Sequence, residues 1–471
     1  MNKSMKNRKV VKVGGSNLKE IEDIRKISKI ICEYEPSPIV VVSAFYGVTD
    51  KIVSCIDKMF QHHAKINELV NYLYELKLKY ILELISDEQI RKIVFDNVKN
   101  RLDDLSVYLI NLLDKGNFKP FDKDYILSYG ERLSAEVIWG TVKSYKHKCE
   151  IVLPENLGLI TDGIFGNSSV NLKLTKNNLE NRFNSDSIYI IPGFYGVSPY
   201  GKINLLGRGG TDYSAAAIAY SINASTLDIW KDVDGFMTGD PKHVSKPSQV
   251  SHLSYLEAAE LSYFGAGILH PRTVEPLQLI NIPIRIFNVH KDNALSEPQT
   301  IIDQNISIYP KVIKSLTFEN KTGILTVKGP GMGFIPGILS EITRILYKNA
   351  VNINSVITSQ ISINLLIEID EIVKARSLVE SLEIHAVTDI SINTEISLVA
   401  VVGNGMTQIP GVAAKVFSAI ADEGINILLS SLGASDVVTY FVIDKQNTKR
   451  AINKLHEALF KENAVESRAI A

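Results

Sequence analysis

In "SPIVVVSAF", Ser37 to Phe45, the residues Ile39 to Val42 are consecutive and β-branched. A strand with one face in water alternates apolar and polar side chains, so this one needs cover on both faces, as in a parallel sheet packed between helices. Just ahead, "KVVKVGGSN" from Lys9 and then "LKEIEDIRKISKIICEY" read as strand, glycine turn and amphipathic helix. The alternation predicts an α/β layer fold, with an open, mostly parallel sheet sandwiched by helices. Further strands are expected at "SIYIIPGFYGV" and "ASTLDIWKDVDG", then a helical "LSYLEAAELSYFGAGILHPRTVEPLQLI" and a closing strand "IPIRIFNV". Residues of about 54–113 are charged and leucine-rich and read as a surface helical insertion without chemistry. This first unit covers residues 1–305.

The remainder repeats itself. "GPGMGFIPGILSEITRILYKNAVNINSVITSQ" from Gly329 lines up, 74 residues later, with "GNGMTQIPGVAAKVFSAIADEGINILLSSLGAS" from Gly403. Each copy reads as strand, glycine-rich turn, amphipathic helix and strand, an α+β ferredoxin-like module. Two copies are too few for a solenoid, so a paired arrangement is expected over 320–393 and 394–471, with the strand at 311–318 completing the second.

Composition excludes several partners. Lys plus Arg number 51 against 52 Asp plus Glu, so no global field favours nucleic acid or an anionic membrane. Cys32, Cys55 and Cys149 lie in no CxxC pair, which argues for a reducing compartment and against a structural zinc site. The basic start leads into a short apolar run without a cleavage-like site, and no segment has the ~18 apolar residues of a membrane span. A soluble cytoplasmic protein is expected.

Chemistry concentrates at glycine corners. A phosphate is held by backbone N–H groups at a helix N-terminus, and glycine lets that backbone come close. "VVKVGGSN" places Lys12 in a strand and Gly14 and Gly15 at its turn. There is no GxxxxGK[ST], and "GRGGTD" fails GxGxxG because aspartate takes the third glycine position. In "NLLGRGGTDYSAAAIA", Arg208 suits a carboxylate in a bidentate fork, and Asp212 suits an ammonium or a neighbouring lysine. A structural Arg–Asp pair on an alanine-rich helix is the other reading. "SAFYGVTD" with Ser43, Ala44 and Thr49, "LSYGERLSA" with Glu131, and "IPGFYG" with Gly193 and Phe194 add further corners, where ligands of open α/β sheets collect.

These blocks resemble the aspartate kinase family of the amino-acid-kinase fold. "KVGGSN" is similar to that family's KFGGTS, "SYGERLSA" to its GE motif, and "LGRGGTDYSAAAIA" to its most characteristic block. "DIWKDVDGFMTGDPK" and "YFGAGILHP" continue the ordered series, and the tail resembles paired ACT domains. The resemblance implies phosphorylation of the L-aspartate side-chain carboxylate by ATP with Mg²⁺, the first step toward lysine, threonine, methionine and diaminopimelate. It implies catalytic roles for Lys12, Asp212 and Glu131, with Lys12 neutralising charge on the transferring phosphoryl group. Ser43, Thr49, Glu131, Phe194, Arg208, Gly209, Gly210 and Thr211 would hold aspartate. Lys12, Val13, Gly14, Gly15, Ala44, Lys231, Asp232, Met237, Lys242, Gly267 and Ile268 would hold the nucleotide. No protein-bound metal site is expected. Gly267 stands where the family often has lysine, so weaker nucleotide binding is expected.

ACT pairs of this family sense small amino acids. Positions Asn352, Ile353, Asn354, Ser359 and Gln360 carry no charge where lysine-sensing members tend to be acidic, which favours threonine, or no effector, over lysine alone. At least a homodimer through the ACT domains is implied. A sister kinase acting on glutamate or an N-acetylated substrate, and an amino-acid sensor whose kinase half has decayed, are the competing readings. No fused homoserine dehydrogenase is expected.

Overall fold

The computed structural model describes residues 8–59, 64–180, 182–183, 186–291, 295–305 and 312–461. Residues 60–63 of the expected helical stretch and residue 311 of the expected strand lie outside them. The chain divides into two units, one of residues 1–236, 251–259 and 268–305, the other of 237–250, 260–267 and 306–471.

The first unit opens with β1 (Lys9–Val13), α1 (Ile21–Cys32) and β2 (Ile39–Val42). Helices α2 (Val48–Met59), α3 (Ala64–Leu84), α4 (Glu88–Lys115) and α5 (Pro120–Leu127) follow, then α6 (Tyr129–Ser144), β3 (Cys149–Ile151), α7 (Pro154–Leu157) and α8 (Leu172–Leu179). Next come β4 (Ile188–Pro192), β5 (Tyr195–Val197), β6 (Ile203–Leu205), α9 (Gly210–Ile222) and β7 (Thr226–Lys231). The unit closes with β8 (His252–Ser254), the first half of α10 (Tyr255–Tyr263), α11 (Pro271–Gln278), β9 (Ile284–Asn288) and β10 (Thr300–Asp303).

Its eight-stranded sheet has the order β3-β4-β2-β1-β7-β9-β10-β8. Every pairing from β3 to β9 is parallel, and only β9 with β10 is antiparallel. The central strands are buried on both faces, as their β-branched runs require: Val10, Val11, Val13 and Ile39 to Val42 have no exposed surface. Burying such residues contributes about 1.5–3 kcal/mol each before chain entropy is charged against it. Helix α9 is apolar nearly all round, and Ala215, Ala216 and Ala217 are fully buried, so the helix packs closely on the sheet.

Two expectations differ in detail. The stretch read as one helix after Ser254 is broken between α10 and α11 by Gly265 at φ +104° and Gly267 at φ +66°, with Pro271 opening the next helix. "SIYIIPGFYGV" bends at Phe194, whose φ of +74° separates β4 from β5.

The second unit contains β11 (Ser315–Glu319), β12 (Thr322–Lys328), α12 (Ile338–Lys348), β13 (Ser355–Thr358), β14 (Ser362–Glu368), α13 (Ile369–Glu380) and β15 (Asp389–Asn393). The second repeat supplies β16 (Ile396–Val402), α14 (Val412–Ala421), β17 (Leu429–Ser431), β18 (Val438–Asp444) and α15 (Thr448–His456). Two antiparallel sheets result, β13-β14-β12-β15 and β11-β16-β18-β17, each with its own core. Strand β11 precedes the first repeat yet pairs with β16 of the second, from Ser315 opposite Val402 to Glu319 opposite Leu398. The repeat glycines explain the crossing. A Cβ on Gly329 would collide with the carbonyl of Ala386, and one on Gly403 with that of Val312. In both copies the chain leading into the edge strand runs directly over that glycine.

Candidate active site

The register of the parallel strands gathers the glycine corners. Val13 lies opposite Val42 and Trp230, and Val42 opposite Pro192, so β4, β2, β1 and β7 end along one edge of the sheet. Gly14, Ser43, Gly193 and Lys231 follow from that edge. Three helical N-termini rise there: the single turn Gly15–Leu18, α6 with Glu131 in its first turn, and α9 with Asp212 in its first turn. Backbone N–H groups and helix dipoles favour anions at such a place.

Lys12 forms an ion pair with Asp212, both side chains being buried, and Lys231 Nζ stands 3.8 Å from the other carboxylate oxygen. Burial pulls the Lys12 ammonium down to about 8 against the restoring pull of Asp212. Burial works to raise Asp212, but Lys12 and Lys231 outweigh it and hold the carboxyl below its ordinary value. The group is thus a carboxylate fixed between two lysines, with a net positive balance facing the glycine turns. Gly14 leaves room for it: a Cβ there would sit 3.2 Å from Lys12 Nζ.

A second corner surrounds Glu131. Its Oε1 accepts a hydrogen bond from the Ala44 N–H at 3.0 Å, while Oε2 is buried without a partner. Burial raises the Glu131 carboxyl to about 8, opposed by that hydrogen bond and by Lys77. Gly15 lies against the Ala44 carbonyl, and Gly130 against Ala44 and the Thr49 hydroxyl, so the β1, β2 and α6 corners adjoin. Ser43 and Thr49 are partly exposed.

The third corner precedes α9. Gly209 adopts φ +69°, and a Cβ on it would strike the His270 ring. Gly210 packs against Phe194, whose N–H donates to Ser214 Oγ at 3.3 Å, and Gly193 packs against Thr211. Arg208 is exposed and pairs with no carboxylate among the described residues. It stands available for an anionic ligand.

Asp232 follows Lys231 at the strand end, and Ile268 belongs to this unit too. Met237, Lys242 and Gly267 belong instead to the second unit. There the Met237 carbonyl accepts from Ser315 Oγ at 2.6 Å, Lys242 is exposed, and Gly267 is exposed at a left-handed φ. In the first repeat, Asn352, Ile353 and Asn354 precede β13 whereas Ser359 and Gln360 follow it, so the strand separates them into two groups. Asn354 accepts from the Tyr263 hydroxyl through its carbonyl, and Gln360 accepts from the Gly333 N–H.

Three residues without an assigned role in the sequence reading belong to this edge. His270 lies against Gly209 with a buried, unpartnered Nδ1, and burial lowers its pKa. Arg272 donates to Asn167, to the carbonyls of Leu206 and Ser168, and to Ser169, tying down the chain before Gly207. Lys77 reaches in from α3. The first two were visible in "LHPR", but only the fold brings them to Arg208.

Models of the ACT domain match residues 318–381 and 399–459. The bifunctional aspartokinase/homoserine dehydrogenase of Haemophilus influenzae is 29% identical over 473 residues, covering 97% of this chain and 57% of that protein. The chain thus spans little more than half of the bifunctional relatives it matches. Aspartokinase 1, chloroplastic, of Arabidopsis thaliana is 26% identical, covering 96% of this chain and 80% of the relative. The fold is that of E. coli aspartokinase III, crystallised in complex with aspartate and ADP in an R-state: TM-score 0.84 at 23% identity, covering 96% of this chain and 100% of that one. Among the described residues no helix is long and apolar enough to cross a membrane. The model of the amino acid kinase family matches residues 7–288, more than half of the sequence and all of the edge just described, and the chain belongs to that family.

Proposed function

We propose that the protein is an aspartate kinase, transferring the γ-phosphoryl group of ATP to the side-chain carboxylate of L-aspartate. The observation that carries this reading is the Lys12–Asp212–Lys231 cluster at an edge of glycine turns, in a chain similar over 96–97% of its length to aspartokinases.

The substrate carboxylate has a pKa of about 3.9 and is ionised near neutral pH, so it attacks without a general base. One of its oxygens forms a bond to the γ-phosphorus as the bond to the β,γ-bridging oxygen breaks, giving 4-phospho-aspartate and ADP. Catalysis rests on positioning and charge neutralisation. Lys12 neutralises the transferring group, oriented by Asp212, with the backbone of Val13, Gly14, Gly15 and Ala44 alongside. Arg208 holds the α-carboxylate, helped by Gly209, Gly210 and Thr211. Glu131 and Asp212 take the ammonium, and Ser43, Thr49 and Phe194 line the pocket. Lys231, Asp232 and Ile268 serve the nucleotide. Bound with the nucleotide, Mg²⁺ would shield the phosphate charge beside Lys12 and Lys231. Among the described residues no cluster of three or more His, Cys, Asp or Glu side chains is gathered to hold it by protein alone.

A cytoplasmic setting, a place at the head of lysine, threonine, methionine and diaminopimelate synthesis, and a homodimer or larger assembly through the ACT modules belong to the same proposal. So does feedback by a neutral amino acid, threonine before lysine. The test is aspartate-dependent ADP formation, trapped with hydroxylamine as the hydroxamate, with glutamate as the specificity control and lysine, threonine and methionine as effectors. Phosphorylation of glutamate alone would overturn the substrate, and inhibition by lysine with threonine inert would overturn the effector.

A further inference from the structure

Arg208 stands between two glycines, Gly207 at φ +76° and Gly209 at φ +69°. Glycine enters that left-handed region without a steric penalty, so a stretch built this way takes its rigidity from whatever packs on it. Both glycines are covered. A Cβ on Gly207 would press on Asn167 Oδ1, and one on Gly209 on the His270 ring. Both covers lead to the start of α11: His270 is the residue before its first turn, and Asn167 is held by Arg272 within that turn.

Arg272 aims its donors at this one cluster of loops. Its Nη1 donates to Asn167 Oδ1 and to the Leu206 carbonyl, each at 3.0 Å. Its Nη2 donates to the Ser168 carbonyl at 2.6 Å and to Ser169 Oγ at 3.1 Å. The guanidinium also lies 4.3 Å from the centroid of the Tyr213 ring on α9, whose hydroxyl accepts from the Val170 N–H at 3.1 Å. One planar fork thereby joins residues 167–170, the carbonyl two positions ahead of Arg208 and the helix that follows it. All four acceptors are neutral, so what the fork supplies here is geometry; a lysine, as a point donor, does not match it.

We propose that Arg272 is a positioning residue for the substrate's α-carboxylate: it locks the 167–170 loop onto the Leu206–Gly207 backbone and so sets where Arg208 stands. The inference rests on the reading that Arg208 holds that carboxylate. With its Nη donors taken by protein acceptors, Arg272 acts through Arg208 and not on the substrate.

The test is a double-mutant cycle on the full chain, with kcat and the KM values for aspartate and ATP measured for the parent, Arg272→Met, Arg208→Met and the double variant. A misplacement of about 1 Å can cost on the order of 10²-fold, and Arg208 keeps its charge, so Arg272→Met is expected to raise the aspartate KM on the order of 10-fold. kcat and the ATP KM should stay nearly unchanged, because binding common to ground and transition states is what is lost. In the double variant Arg272→Met should add nothing to Arg208→Met, since nothing is left to position. A parent-like aspartate KM in Arg272→Met, effects that multiply in the double variant, or equal losses for aspartate and ATP would each overturn the proposal. Arg272→Lys keeps the charge without the fork and should behave as Arg272→Met; full recovery would make the effect one of charge and overturn the clamp. If Arg272→Met does not fold, Asn167→Ala, at an exposed position, takes its place in the cycle with the same expectations. A parent that does not phosphorylate aspartate, or an Arg208→Met variant with the parent's aspartate KM, brings down the underlying reading. With both of those as expected, a parent-like Arg272→Met brings down this inference alone.

Discussion

Lys12 and Asp212 meet as a buried ion pair at the carboxyl edge of the sheet, one from the next-to-last position of a strand and the other from the first turn of a helix near the middle of the chain. The pair stands on elements rather than on loops. Lys12 is held in register between Val41 and Ile229, and Asp212 by a helix packed on the same sheet.

Replacing Lys12 by Met removes the charge while keeping most of the volume. The loss of one preorganised charge should lower kcat on the order of 10²–10³-fold. Breaking a buried pair costs about 3–5 kcal/mol where the remaining charge is uncompensated. Lys231 stays 3.8 Å from Asp212, so the stability loss should fall below that range. Steady-state rates and urea unfolding check both parts, and a kcat within twofold of the parent would remove Lys12 from the chemistry.

The depressed Lys12 ammonium gives a pH dependence with a definite sign. The residue is charged below about 8 and loses its proton as pH rises through that value. The profile of kcat/KM, which reports the free enzyme, should therefore fall on its alkaline side near pH 8. Lys231 is one of the groups lowering Lys12, so Lys231→Met should carry that limb to higher pH. A limb that stays in place in the variant would assign it to another group.

Glu131→Gln keeps an acceptor for the Ala44 N–H and removes the charge. With the folded value raised to about 8 from 4.5, the native protein holds a proton that the unfolded chain has lost between those values. This contribution is complete below about 4.5 and vanishes as pH rises through 8. The thermal midpoint of Glu131→Gln relative to the parent should then climb from pH 5 to pH 8, and a constant or falling difference would contradict the assignment.

Gly209→Ala tests the loop carrying Arg208. Its φ of +69° is costly for alanine, and the new Cβ would press on His270. A left-handed non-glycine residue costs of order 1–3 kcal/mol, and the thermal midpoint should drop accordingly. The aspartate KM should rise as Arg208 is displaced. An unchanged KM alongside a lowered midpoint would separate the loop from substrate binding.

Much of the scaffold was readable because it rests on local patterns. Ile39 to Val42 could only be a strand covered on both faces, and Gly329 and Gly403 announce a repeat by their spacing alone. Corners with charge and glycine, such as Gly207 to Asp212, stand out for the same reason. Elements defined by distant partners were harder. Strand β10 spans Thr300–Asp303 and exists through its pairing with β9 and β8, and nothing in its few residues distinguishes it from a loop. Lys77 is the sharpest instance: in "YELKLKY" it resembles any solvated lysine on a helix, and only the packing of α3 against α6 takes it out of water.

The early strand β11 closes the sheet of the later module, with β16 as its neighbour. All seven residues of β16 are buried. A fragment beginning after Asn393 would therefore present a bare, oily ladder of amide groups to its surroundings, a template for sticking to other copies. Restoring residues 312–319 through an artificial linker at either terminus should return such a fragment to solution, whereas grafting the same peptide with prolines at Leu316 and Phe318 should not.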